Sequence, residues 1–403
     1  MKRLLVTFCA AAVLFTSTAP MRAEVFPLQY HSGNPSERGL SVGMCEAVSL
    51  AAPPIGLWLP RNAGTDPVFA KWETPLAESG FVYLAATKGP DRRYESLFVD
   101  TDGDGNLADE SPVKRNEQGW QDVFGPIELV FPGQGPDLKY SIVVQARTVI
   151  YMSFPARNVT SLLVETACWY EGDVTLDGRT CRVLLVDEHC NGVFDDVSMT
   201  LEKADSIAIG EGDSEDVRQC CFGKYIQVGG KIYHPIPRRT GEAIEFAPPE
   251  PFAAGIVRLT GAATTLRLAG ENGDLTFDLV DGKTSVPVGK WIPKSWTLTR
   301  EDAGGVRWTL EAVDFPAKTA FEVVETAESV LDTGEPVNAR TGWAGYSQGV
   351  NGAPAKPVYF FAIGGRIGEV MHITRNGSRP PVPVLHIRSD NGAYDESVAF
   401  EYG

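Results

Sequence analysis

The stretch CWYEGDVTLDGRTCRVLLV, residues 168–186, decides the fold. Two runs rich in β-branched, aromatic and other apolar residues flank Asp177-Gly178, and both of these residue types tolerate the positive φ angles of a tight hairpin turn. A two-residue turn here places Val174 opposite Cys181 and sets the register of the other pairs. The stretch therefore predicts an antiparallel β-hairpin.

Turn dipeptides of this kind recur along the chain, between short runs rich in Val, Ile, Leu, Thr and aromatic residues. Helical periodicity is nearly absent after the N-terminal segment, and this spacing is typical of antiparallel sheet. We therefore predict an all-β fold with several antiparallel β-sandwich domains in tandem, the C-terminal one immunoglobulin-like. The predicted turns are Asp177-Gly178, Gly229-Gly230, Asn272-Gly273, Asp281-Gly282, Gly304-Gly305, Asn376-Gly377 and Asn391-Gly392.

The first 23 residues have the layout of a secretory signal peptide. Lys2 and Arg3 precede an apolar run from Leu4 to Phe15, and small and polar residues lead from there to Ala23. The apolar run is too short to span a bilayer. We expect cleavage after Ala23 and export to the periplasm, the cell surface or the medium.

The chain is acidic, with a net charge of −16. Removing residues 1–23 takes away three basic residues, Lys2, Arg3 and Arg22, and no acidic one, so the charge becomes −19. Such a surface repels nucleic acid and anionic lipid and favours divalent cations. We expect no nucleic acid partner and no membrane insertion, and we consider glycans or cell-surface components as partners.

An acidic turn follows the apolar run Leu97-Phe98-Val99. Carboxylates at its positions 1, 3 and 5 and a glycine at position 6 form the Asp-x-Asp-x-Asp-Gly pattern of EF-hand loops, which aims several oxygens at one Ca²⁺. Position 12 is Ser111 and no helix is predicted on either side, so the match to an EF-hand is partial. The alternative is a solvated acidic turn without a metal. The predicted calcium ligands are Asp100, Asp102, Asp104, Asn106, Asp109 and Glu110.

A second, weaker version of the loop follows the apolar run Val183 to Val186. Aligning Asn191-Gly192 with positions 5 and 6 puts Asp187 at position 1 and Asp196 at position 10. His189 then stands at position 3, where an oxygen is expected. The predicted ligands of this second calcium site are Asp187, Asn191 and Asp196. A β-turn held by Asn191-Gly192 without a metal is the alternative.

Proline-rich joints at residues 247–251 and near Pro316 divide the mature chain, which is longer than one core usually serves. The predicted organisation is a signal peptide at 1–23, a β domain with the first calcium loop at 24–155, a β domain with the second loop at 156–250, a small β-sandwich at 251–317 and an immunoglobulin-like β-sandwich at 318–403.

Several strings resemble an uncharacterised family of large secreted bacterial proteins. They are WYEG at 169–172, LVDEHCNGVFDD at 185–196, GKYIQVGGKIYHP at 223–235 and FEYG at 400–403. The resemblance implies EF-hand-like calcium loops on β-sandwich domains and names no substrate. His189 departs from it, since that position usually carries an amide or a carboxylate.

Six cysteines remain after cleavage, and an even number in an exported chain favours disulfides. In the predicted hairpin register Cys168 faces Asp187, which brings it near Cys190 as a partner. Cys220 and Cys221 would then bond to Cys181 and Cys45 in an unknown order. One alternative is that some are small buried residues. Another is a zinc or copper site formed by His189, Cys190, Cys220, Cys221 and His234, although no typical ligand spacing supports it.

The sequence contains no Gly-x-Ser-x-Gly, His-Glu-x-x-His or phosphate-loop motif, and it identifies no catalytic residue. The leading interpretation is a calcium-stabilised β protein with a structural or binding role. The alternatives are an extracellular polysaccharide hydrolase that uses unidentified carboxylates, and a carbohydrate-binding or adhesive protein that uses exposed tryptophans.

Overall fold

The computed structural model describes residues 24–401 except 118–120, 134–136, 152–156, 198–203, 212–217, 250, 262, 316–319, 326, 335 and 347–356. The described part is nearly all β, and its helical element is a 3-10 helix, Pro35–Arg38. None of its helices is long and apolar enough to cross a membrane. The predicted signal peptide lies outside the described residues.

Eighteen strands of the described part lie before residue 250. They are β1 (Glu24–Pro27), β2 (Gln29–Ser32), β3 (Met44–Glu46), β4 (Val48–Leu50), β5 (Thr65–Glu73), β6 (Phe81–Lys88), β7 (Tyr94–Val99), β8 (Val113–Lys114), β9 (Asp122–Phe131), β10 (Leu138–Tyr151), β11 (Arg157–Thr166), β12 (Cys168–Leu176), β13 (Arg179–Val186), β14 (Ser206–Glu211), β15 (Arg218–Cys221), β16 (Ile226–Val228), β17 (Lys231–Pro237) and β18 (Ala243–Ala247).

Thirteen strands follow among the described residues. They are β19 (Ala254–Leu259), β20 (Thr265–Gly270), β21 (Gly273–Asp278), β22 (Lys283–Pro287), β23 (Gly289–Glu301), β24 (Arg307–Asp314), β25 (Phe321–Val323), β26 (Glu328–Leu331), β27 (Asn338–Tyr346), β28 (Pro357–Gly364), β29 (Val370–Arg375), β30 (Val384–Arg388) and β31 (Asp395–Ala399).

The hairpin predicted at residues 168–186 is confirmed as β12 and β13. Val174 pairs with Cys181, and the register runs unbroken from Leu176 opposite Arg179 to Tyr170 opposite Leu185. The turn residues Asp177 and Gly178 have φ angles of 55° and 76°, as a type I′ turn requires. The hairpin is the centre of a sheet with the order β15-β14-β13-β12-β2.

The other sheets before residue 250 have the orders β4-β5-β6-β7-β8, β3-β11-β10-β9 and β1-β18-β17-β16. Side chains from these sheets and from the hairpin sheet share one hydrophobic core that extends from Phe26 to Phe246. The sheet of β4 to β8 is buried on its other face as well, against a small cluster that includes Leu57, Phe98 and Leu107. A buried strand such as β7 therefore ends between two packed faces.

The strands after residue 250 form the orders β22-β19-β26, β21-β20-β23-β24-β29-β28-β27 and β30-β31, with β25 beside β23. Among the described pairings between named strands, all are antiparallel except that of β19 with β26. The immunoglobulin-like sandwich predicted at 318–403 is not confirmed. Its strands β25, β26 and β29 pair instead with strands of the segment 251–317, and a shared core joins Val257, Leu331 and Met371.

The predicted domain boundaries remain predictions, but the chain packs across two of them. The pairing of β10 with β11 spans residues 155 and 156, and the pairing of β24 with β29 spans residues 317 and 318. If a domain ended at either boundary, the backbone donors and acceptors of these strands would lie unpaired at a sheet edge. The pairings across the boundaries satisfy them instead.

Gly43 lies between the 3-10 helix and β3, with its backbone against the residues that follow β13. A Cβ atom at this position would contact the Asp187 carbonyl oxygen and lie 2.6 Å from Glu188 Cα, both of which belong to the backbone. We predict that Gly43→Ala lowers the free energy of unfolding by about 1–3 kcal/mol, because the crowded backbone must shift.

Urea denaturation measures this effect, with Gly364→Ala as the control. A Cβ at Gly364 meets its nearest atom at an ordinary 3.5 Å, so we expect a change below about 1 kcal/mol there. Equal midpoints for Gly43→Ala and the unaltered protein would contradict the close approach.

Candidate metal centre

Three acidic side chains converge at the end of β7. Asp100, Asp102 and Asp104 each offer a carboxylate oxygen, and these oxygens lie within 4.8 Å of one another. It is the one such group of three or more potential metal ligands within the described ranges. Asp100 is buried, whereas Asp102 and Asp104 are exposed, so the group opens to solvent on one side.

Hydrogen bonds from backbone amides of the loop to its own carboxylates hold this arrangement. The Gly105 amide donates to Asp100 Oδ1 at 3.3 Å, and the Asn106 amide donates to Asp104 Oδ1 at 2.6 Å. Gly103 and Gly105 have φ angles of 75° and 79°, which only glycine adopts at little cost. The two left-handed residues curl the chain, so that positions 1, 3 and 5 face the same point.

The electrostatics of the group favour a cation. Burial raises the pKa of Asp100, and the neighbouring charges of Asp102 and Asp104 raise it further. The ionised form of Asp100 is therefore destabilised by its surroundings, and a divalent ion between the carboxylates would reverse the sign of this effect.

Asp109 and Glu110 are not among the converging acids. The Asn106 side-chain oxygen accepts a hydrogen bond from the Ala108 amide at 3.2 Å, and Asp109 is exposed. Glu110 accepts hydrogen bonds from the Thr101 amide at 2.6 Å and the Thr101 hydroxyl at 2.8 Å. Glu110 thus closes the loop onto its own start.

The second loop, which follows β13, has the same backbone construction. The Gly192 amide donates to Asp187 Oδ2 at 2.6 Å, and the Val193 amide donates to Asn191 Oδ1 at 3.0 Å. Cys190 and Gly192 have φ angles of 56° and 94°, so the left-handed residues again stand at positions 4 and 6.

The two loops also match at position 8. Leu107 in the first loop and Phe194 in the second are both buried in hydrophobic clusters. Each loop therefore places an acid at position 1, a position-6 amide that donates to that acid, and an apolar anchor at position 8. This agreement supports the alignment made from the sequence and does not depend on a metal.

The second loop differs in where its acids point. Asp196 Oδ2 lies 2.8 Å from His189 Nδ1 and accepts a hydrogen bond from Asn191 Nδ2 at 2.6 Å. Asp187 is fully buried, and its Oδ2 accepts a hydrogen bond from the Tyr140 hydroxyl at 2.7 Å. Asp196 is therefore held by His189 and Asn191, whereas Asp187 is held by Tyr140.

Asp205 lies beside the second loop, and no sequence pattern identified it. It stands directly before β14, is 1% exposed and accepts a hydrogen bond from the Asp196 amide at 2.8 Å. Burial raises its pKa strongly, and the charge of Asp187 raises it further. Burial also raises the pKa of Asp187. No local motif marks Asp205, because it lies nine residues beyond Asp196 in the chain. It approaches the loop through the pairing of β14 with β13.

The predicted disulfides are not confirmed, because no two of the described cysteines lie at disulfide distance. Cys190 lies beside Cys45 rather than Cys168: the Cys45 thiol donates to the Cys190 carbonyl at 3.4 Å, and the Cys190 thiol donates to the Val164 carbonyl at 3.2 Å. The predicted zinc or copper alternative does not appear as a converging ligand group among the described residues.

No family model matches this sequence, and neither a curated protein nor a solved structure is similar enough to count as a match. The resemblance to secreted bacterial proteins therefore stays a prediction, and the geometry of the two loops carries the functional argument.

Proposed function

We propose that this chain is an exported, calcium-stabilised β protein with a structural or binding role at the periplasm or cell surface. The observation that carries the proposal is the convergence of Asp100, Asp102 and Asp104 within 4.8 Å on a loop with left-handed residues at positions 4 and 6.

The ligand chemistry favours Ca²⁺ over other metals. All three side chains offer hard oxygen ligands, and the exposure of Asp102 and Asp104 leaves room for water to complete a coordination shell of six to eight oxygens. Mg²⁺ needs a smaller, near-octahedral site and gives up its water reluctantly. Zinc and copper prefer nitrogen and sulfur ligands, which this loop lacks.

The position of the loop supports a structural role for a bound cation. Leu107 anchors the loop in the small cluster beneath it, and Asn106 forms a β-bridge with Trp58. A cation at Asp100 would therefore hold together the end of β7, the loop and the segment around Trp58. Its binding energy would add to the stability of the folded state.

We predict that calcium raises the melting temperature of the mature protein and that a chelator lowers it. At a free calcium concentration about 100-fold above Kd, the folded state gains about 2.7 kcal/mol. Asp100→Asn combined with Asp104→Asn should remove the part of this gain that the first loop supplies, because the two amides no longer neutralise an ion there. Differential scanning calorimetry with calcium or with chelator measures the effect.

Asp281→Asn is the matched control, since it removes an acid from an exposed turn outside both loops. It should keep the full calcium effect. Melting curves of the unaltered protein that coincide with and without calcium would rule out a stabilising ion.

Export is supported by the layout of residues 1–23, in which Lys2 and Arg3 precede a short apolar run and small residues lead to Ala23. We predict that the protein expressed with its full N-terminus in a Gram-negative host is recovered from the periplasm and that Edman sequencing begins at Glu24. A cytoplasmic product that retains Met1 would contradict this.

Carbohydrate binding is the second candidate, and one surface feature favours it. Trp343 and Tyr359 face each other across the β27–β28 hairpin, at the edge of the large sheet, with 61% and 46% of their surfaces exposed. Adjacent exposed rings can stack on sugar faces.

We predict that a polysaccharide retained by this surface in affinity electrophoresis binds Trp343→Ala about tenfold more weakly, a loss of about 1.4 kcal/mol. Trp58→Ala, which removes a similarly exposed indole elsewhere, should bind normally. Equal retention of the two variants would argue against this surface. Sugar released during the assay would favour the hydrolase alternative instead.

A further inference from the structure

We propose that Asp187 and Asp205 bind a second divalent cation of the calcium class, buried where β13 ends and β14 begins. The observation is that each side chain is buried and has one carboxylate oxygen, Oδ1, without a hydrogen-bond partner. The inference goes beyond the proposed function, because it concerns other residues than Asp100, Asp102 and Asp104. It can be tested independently of the first loop.

The strand register places these two acids across from each other. β13 and β14 are antiparallel, and their last pair is Val186 with Ser206. Continuing the register by one position sets Asp187 opposite Asp205. Opposing residues of neighbouring strands have Cβ atoms about 4.5–5.5 Å apart, and like charges in this arrangement destabilise a sheet.

Each carboxylate already uses its other oxygen. Asp187 Oδ2 accepts hydrogen bonds from the Tyr140 hydroxyl at 2.7 Å and the Gly192 amide at 2.6 Å, and Asp205 Oδ2 accepts from the Asp196 amide at 2.8 Å. The Oδ1 atoms remain, and a buried acceptor without a partner costs about 1–3 kcal/mol, more when it is charged. The fold thus orients both carboxylates and leaves one oxygen of each to a further ligand.

The described residues supply no positive side chain for this pair. No Lys or Arg among them forms an ion pair with Asp187 or Asp205, and His189, the nearest basic group in the loop, binds Asp196 instead. A divalent cation would supply both missing interactions. It would neutralise the two carboxylates and give each Oδ1 atom a partner. An all-oxygen pair selects a hard ion of the calcium class rather than zinc or copper.

The shape of the loop agrees with this assignment. Asp187 takes position 1, its Oδ2 is fixed by the position-6 amide, and Cys190 and Gly192 repeat the left-handed angles of the first loop. Because His189 replaces the acid at position 3, the second loop lacks one ligand from its own sequence. Asp205 would supply that missing carboxylate from the next strand.

The test uses the full mature chain with Asp100→Asn and Asp104→Asn, so that the first loop cannot contribute. Equilibrium dialysis with calcium at about 10 mM, tenfold above the weakest EF-hand-type sites, is followed by elemental analysis. We expect one equivalent of calcium per chain. Adding Asp205→Asn should remove it, whereas adding Asp281→Asn should not.

A second measurement separates metal binding from a carboxyl pair that merely shares a proton or a water. Asn has nearly the same shape as Asp and keeps the oxygen that accepts from the Asp196 amide. In chelator, Asp205→Asn should therefore melt at the same temperature as its parent or higher, because a neutral amide needs no counter-charge at this buried position. In calcium, it should fail to gain the stabilisation that its parent gains.

Several outcomes would overturn the proposal. They are no calcium bound to the variant with the altered first loop, calcium retained after Asp205→Asn, or a melting temperature that Asp205→Asn lowers equally with and without calcium. If Asp205→Asn does not fold, terbium luminescence of the parent variant replaces this test. The Tyr140 hydroxyl donates to Asp187, so the tyrosine would sensitise a terbium ion bound there. The absence of sensitised emission would contradict the site. Failure of the first loop alone would appear differently, as a calcium content unchanged by Asp100→Asn and Asp104→Asn.

Discussion

A glycine amide that donates to the carboxylate five residues earlier is the interaction on which both loops depend. The pairs are Gly105 with Asp100, at 3.3 Å, and Gly192 with Asp187, at 2.6 Å. Each bond needs a positive φ at the glycine, which turns the amide inward and makes the chain curl around the acid. The curl explains why acids that repel one another are nevertheless held close, at the ends of strands that are themselves firmly buried.

The local parts of the fold could be predicted from the sequence, because neighbours in the chain determine them. The turn residues Asp177 and Gly178 fix the register of β12 with β13, and that register is confirmed pair by pair. The immunoglobulin-like module was not confirmed, since pairings such as β24 with β29 join segments that are distant in sequence, and no local pattern specifies them.

The two candidate sites differ in the same respect, because residues close in the chain form the first and residues distant in the chain form the second. Asp100, Asp102 and Asp104 are spaced by two, and their convergence follows from a single turn. Asp205 reaches the second loop only because β14 pairs with β13, a contact that spacing along the chain does not reveal. The hairpin register correctly brought Cys168 towards Asp187. The pairing of Cys168 with Cys190 failed because the chain turns at Cys190, which directs its thiol to Val164 on β11.

The close approach of Gly43 to Asp187 and Glu188 would limit which ions the proposed second site accepts. A loop pressed against another backbone on one side, and fastened through the Cys190 carbonyl to the Trp72 indole at 2.8 Å on another, has little freedom to contract. An ion with a small radius, such as Mg²⁺, needs ligands at about 2.0–2.1 Å, whereas Ca²⁺ accepts 2.3–2.6 Å. Rigidity of this kind would let the second loop discriminate by size, while the open first loop would discriminate chiefly by charge.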